Sequence, residues 1–106
     1  MAKKYKVAVT VPLDAADKVR QAIGQAGGGT MGNYSHCSFS VRGVGRFRPE
    51  KGAHPHVGAI GKIEEVEEER IEVLCLQETL AATLKAIKDV HPYDEVALDV
   101  FPLEEV

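Results

Sequence analysis

The chain has 106 residues, 44% of them hydrophobic, with 13 Lys/Arg against 16 Asp/Glu and a formal net charge of −3. That length suits a single domain, residues 1–106, with its own core, and the apolar content excludes a disordered chain. The acidic balance argues against a nucleic-acid partner, which would call for a basic surface to displace counterions.

Lys4 to Val11 alternates, with Tyr5, Val7, Val9 and Val11 on one face, and reads as a half-buried strand ended by Pro12. Asp14 follows as an expected helix N-cap. Ala16, Val19, Ile23 and Ala26 then make an apolar stripe at helical spacing, stopped by Gly27-Gly28-Gly29. Gly32-Asn33-Tyr34 is a turn signal. His36 to Arg42 alternates again, and the apolar set Cys37, Phe39 and Val41 is expected to face the core. Gly43-Val44-Gly45 suggests a bend or bulge, Arg46-Phe47-Arg48 a short edge strand, and residues 49–61 a loop.

Lys62 to Glu69 is acidic, and its alternation slips near Val66, where a bulge or turn is expected. Arg70 to Leu76 resumes as a strand, with Ile71, Val73 and Cys75 on one face. Thr79 to Val90 is a second helix, striped by Leu80, Leu84 and Ile87; His91 fits its C-terminal cap and Pro92 prevents continuation. Glu95 to Phe101 is the last strand. The order is β-α-β-β-α-β with a central hairpin excursion. Right-handed crossovers would place both helices on one face of an antiparallel four-stranded sheet, an α+β, ferredoxin-like fold.

The other sheet face carries Lys6, Thr10, His36, Ser38, Ser40, Arg42, Glu72 and Asp99, with Leu74 and Leu76 among them. It is either a solvated surface or the inside of an oligomer. Residues 1–53 hold nine Lys/Arg against three Asp/Glu, and residues 54–106 four against thirteen. Such complementary sides favour self-association. Arg42, Arg46 and Arg48 are expected to pair with the Glu64–Glu69 run rather than to form a binding strip. Gly27-Gly28-Gly29 follows a helix instead of opening one, so no phosphate cradle is expected.

The start, Met1-Ala2-Lys3-Lys4, is basic but leads into no apolar leader. The longest uncharged stretch, Gln21 to Val41, is too rich in Gly, Ser and Asn to cross a bilayer. A cytoplasmic protein with no membrane partner is therefore expected, with Cys37 and Cys75 as reduced core thiols.

The segments Gly32 to Phe39, Gly58 to Glu64, Arg70 to Glu72 and His91-Pro92-Tyr93-Asp94-Glu95-Val96-Ala97 together resemble the inserted middle domain of the Nif-three-like (YqfO) proteins. The resemblance runs from Tyr5 to Leu103, and the His-Pro-Tyr-acid junction is also similar to the CutA divalent-cation-tolerance proteins. It implies a stand-alone PII/CutA-like module that assembles as a homo-oligomer, with a trimer favoured. The flanking domains of full-length relatives hold a two-metal site of His, Asp and Glu. Since this chain contains no such set, the resemblance implies no transfer of a GTP cyclohydrolase-type activity and no catalytic residue.

PII-like assemblies bind small ligands between subunits. On that ground Asn33, Tyr34, His36, His91, Tyr93 and Glu95 are the ligand-binding candidates. His54 and His56, two apart on a Pro-rich loop, could grip a divalent metal ion if the loop is extended, with His36 and His91 as further metal candidates. In Gly52 to Gly58 the two His stand where Asn and an aromatic are more usual in the family. The alternative reading is a structural or protein-interaction module without a ligand.

Overall fold

The computed structural model describes residues 3–106; Met1 and Ala2 of the basic start lie outside the described residues. β1 (Lys4–Pro12) is followed by a 3-10 turn (Leu13–Ala15) and α1 (Ala16–Gln25). β2 (Phe39–Phe47) and β3 (Glu64–Leu76) form a long hairpin. α2 (Gln77–Val90) then leads to β4 (Leu98–Pro102). The four strands make one sheet in the order β2-β3-β1-β4, every neighbouring pair antiparallel. This is the ferredoxin-like arrangement expected from the order of elements.

The core lies between the sheet and the helices. Val7, Val9 and Val11 of β1 and Ile71, Val73 and Cys75 of β3 face Ala16, Val19 and Ile23 of α1 and Ile87 of α2, all of them buried. Cross-strand register explains the match: Val7 stands opposite Val73 and Val9 opposite Ile71, so alternation on both strands delivers one apolar face. Thr83 is also fully buried, and the Cys75 Sγ reaches its hydroxyl at 3.6 Å.

Several local expectations change. Asp14 does not cap α1: it falls in the 3-10 turn, and Ala15 occupies the N-cap without a side-chain hydrogen bond. No bulge interrupts the hairpin. β2 runs unbroken through Gly43 and Gly45, and β3 through Val66, in a continuous register from Phe39–Glu72 to Phe47–Glu64. The ladder absorbs the acidic run because its carboxylates are divided between the two faces: Glu65 and Glu69 fall on the helix side, where they meet Arg46 at 3.3 Å and Arg20 of α1 at 2.6 Å, and Glu68 falls on the open face. Arg48 pairs locally with Glu50 instead of with that run. The final strand starts at Leu98 rather than Glu95, so residues 95–97 belong to the junction after α2.

The faces of β2 are reversed from expectation. Ser40 stands opposite the buried Ile71 and receives the Arg20 guanidinium at 3.2 Å, so it points towards the helices. Phe39 and Val41, paired with Glu72 and Arg70, therefore lie on the open face and are 65% and 48% exposed. Cys37 is a half-buried loop residue rather than a core thiol. The hairpin extends well past the end of β1, which gives the molecule its extents of 47 × 23 × 22 Å.

Candidate functional site

On the open face, where the hairpin runs past β1, a cleft of about 590 Å³ opens. Its floor is Thr10 of β1 with Glu68 and Arg70 of β3. One wall is the end of β2 with the loop after it, through Phe47, Pro55 and His56. The other is the α2–β4 junction, through Tyr93, Asp94 and Glu95. This size suits a small organic molecule.

The junction is pinned by His91. Its backbone N–H caps α2 on the Ile87 carbonyl at 2.9 Å. Its Nδ1 accepts the Tyr93 N–H at 3.1 Å, which leaves the proton on Nε2, and Nε2 donates to the Thr10 carbonyl at 2.8 Å. His91 is 7% exposed and both ring nitrogens are engaged, so it acts as a latch between helix and sheet. Pro92 then turns the chain, and Tyr93 is carried over the sheet floor. The Tyr93 ring lies 5.0 Å from His91, 6.0 Å from Phe47 and 6.2 Å from His56, each tilted.

The Tyr93 hydroxyl donates to Oε2 of Glu68 at 2.9 Å. Burial, followed by this hydrogen bond and the nearby Glu68 charge, pushes the phenol above its ordinary value. Glu68 is itself 7% exposed, lying across Gly45, where any Cβ would overlap its carboxylate. The loop is tied to the same junction: the His54 N–H donates to Asp94 Oδ2 at 2.9 Å and holds that carboxyl below its ordinary value. At its base Gly61 N–H meets the Pro49 carbonyl at 2.7 Å.

The expected site residues fall into two groups. Tyr93 and Glu95 line the cleft, His56 joins them, and His91 supports Tyr93 from behind. Asn33, Tyr34 and His36 lie elsewhere in the protomer. Asn33 is in the tight turn closed by paired Met31–Tyr34 backbone bonds, and His36 lies against Gly24 of α1. His36 has φ of 60° and precedes β2, so it is not on the open sheet face. His54 and His56 are exposed. Among the described residues no three His, Cys, Asp or Glu side chains come together as a metal-holding group. Sequence reasoning missed Glu68, hidden within an acidic run. The signal that marks it is Gly45 on the neighbouring strand, which becomes meaningful once the register is known.

No protein-family model matches this chain. The chain is 44% identical over 100 residues to the GTP cyclohydrolase 1 type 2 homolog of Bacillus subtilis, and 48% identical over 98 residues to that of Mycobacterium leprae. These alignments take in 94% and 92% of the chain but 27% and 26% of the relatives, so the chain spans about a quarter of their length. The crystal structure of a Bacillus cereus protein related to NIF3 superposes with a TM-score of 0.85 at 44% identity, over 99% of this chain and 27% of that one. CutA from Archaeoglobus fulgidus, a periplasmic divalent cation tolerance protein, superposes with a TM-score of 0.70 at 19% identity, over 97% of this chain and 86% of that one. The fold is therefore that of a PII/CutA-like domain. Over nearly its whole length, the chain is homologous to a domain-sized part of NIF3-related proteins.

Proposed function

We propose that this chain is an oligomeric PII/CutA-like module, a trimer by preference, that binds a small molecule in the cleft at the seam between protomers. One observation carries the reading: buried Glu68 and half-buried Tyr93, joined by a hydrogen bond, line a cleft that opens beside an apolar sheet face. Phe39 and Val41 stand exposed on that face and half-buried Leu74 and Leu76 share it, an apolar grouping of the kind that marks interaction surfaces. Copies meeting through this face would complete the cleft walls. Among the described residues no helix is long and apolar enough to cross a membrane, and both cysteines are free, as suits a cytoplasmic protein.

A small organic ligand fits this cleft better than a metal ion. The two ring nitrogens of His91 are already used, and His56 would need donors from another copy to complete a coordination shell. The cyclohydrolase name of the relatives belongs to proteins about four times as long, and the module is read here as non-enzymatic.

Thermal unfolding measured against a panel of nucleotides, amino acids, amines and divalent ions tests the reading, because a ligand of the native state raises Tm. The reading expects a stabilising compound whose effect is lost in Tyr93→Ala. The second reading, an interaction module without a ligand, is favoured by the exposed Val44 and Ile63 along the hairpin arm, and it expects a blank panel.

A further inference from the structure

Glu68 is held unlike Glu65, Glu69 and Glu72 of the same strand. Glu65, Glu69 and Glu72 each meet an arginine, whereas Glu68, the most buried of the four, receives one hydrogen bond, from the neutral Tyr93 hydroxyl on Oε2. Oε1 accepts no hydrogen bond from the described residues. Yet no fully sealed side-chain oxygen or nitrogen among them lacks a partner, so Oε1 is not sealed. It lies over Gly45, and both Glu68 and Gly45 line the cleft. A carboxylate can accept about four hydrogen bonds, and burying it with one neutral donor is costly unless a positive donor completes the set.

The arginines at the cleft do not supply that donor. Arg46, Arg48 and Arg70 are held by Glu65, Glu50 and Glu72. Arg42 stands opposite Glu69, on the side of β2 that faces the helices. The Tyr93 ring beside Glu68, with Phe47 next to Tyr93, adds apolar walls and aromatic faces, which attract a flat cation.

We infer that the ligand of this cleft carries a planar N–H-bearing cation, of the amidinium or guanidinium class, whose fork donates to Glu68 Oε1 while its flat body lies beside Tyr93 and Phe47. This rests on the cleft reading above and names its ligand class. Planar forks match carboxylate geometry in a way that a metal ion or a simple anion does not.

The test uses the full chain and three probes of one shape: benzamidinium, neutral benzamide and benzoate. Binding is followed by NMR at the backbone amides of Tyr93 and His54. The expected result is saturable binding of benzamidinium, about tenfold or more tighter than benzamide or benzoate, with Glu68→Gln lowering it to the benzamide level. Equal affinities for the three probes would overturn the cation assignment while leaving the cleft a binding site. Benzamidinium binding untouched by Glu68→Gln would overturn the role of Glu68. No saturable response to benzamidinium up to its solubility limit would overturn the inference on the unmodified protein alone, whatever the variant does.

Discussion

The Tyr93 hydroxyl sits 2.9 Å from the Glu68 carboxylate, joining the α2–β4 junction to the middle of β3 across 25 residues of sequence. The contact exists because His91 latches the junction to β1, Pro92 turns it, and Gly45 leaves room for the Glu68 side chain on β2. The cleft lining is thus the product of β1, β2, β3 and the α2–β4 junction together.

This pair should be visible in alkaline titration. Burial and the Glu68 partner raise the Tyr93 phenol above the ordinary 10.0. The native state then holds the proton more tightly than the unfolded chain. Its stabilising contribution is complete below about pH 10 and is lost as pH rises through the folded value. Tyrosinate absorbance should show one phenol ionising late. Tyr93→Phe should remove that late step, and Gly45→Ala, by displacing Glu68, should bring it earlier. A Gly45→Ala profile unchanged from the parent would break the link between Gly45 and the pair.

On the acid side, the His54–Asp94 contact should govern the loop. The His54 N–H holds the Asp94 carboxyl below its ordinary 3.8. A depressed folded value means that the docking contribution is present above that ordinary value and is lost as pH falls through the folded one. Amide exchange at His54 should rise in that acidic window while exchange in β1 stays slow. In Asp94→Ala it should be fast at neutral pH as well.

His91→Ala should destabilise the protein by about 1–2 kcal/mol, since it leaves the Thr10 carbonyl and the Tyr93 N–H without their side-chain partner in a partly buried place. Denaturant unfolding measures this. A cost near zero would mean that the latch is replaced by water.

Much of the fold could be read from the chain, because β1 and the second half of β3 alternate with strong contrast and the helix stripes keep their spacing. Residues such as Val7, Ile71 and Ile87 could go nowhere but the core. β2 misled for a physical reason. Alternation tells which residues share a face, not which face is buried, and here the open face is apolar too. Phe39 and Val41 took the outside because Ser40 was needed beside Arg20. His36 slipped out of the strand through its left-handed backbone, which His tolerates better than branched residues do. Of the site, Tyr93 and Glu95 were legible from the His-Pro-Tyr-acid junction. Glu68 was not, since five other glutamates surround it and its distinction lies in Gly45, a contact made by register.

The open face itself can be tested by charge. Val41 is 48% exposed and stands opposite Arg70, so Val41→Glu should leave the protomer folded, with a circular dichroism spectrum like the parent's. If copies meet through this face, an added carboxylate there must lose its water on assembly and should separate them.

Sedimentation of the unmodified chain at micromolar concentration reaches the central claim most directly. A mass three times that of one chain, falling to a single chain in Val41→Glu, is the predicted result. A lone protomer across the whole concentration range would contradict the assembly, and with it the seam at which the cleft is completed.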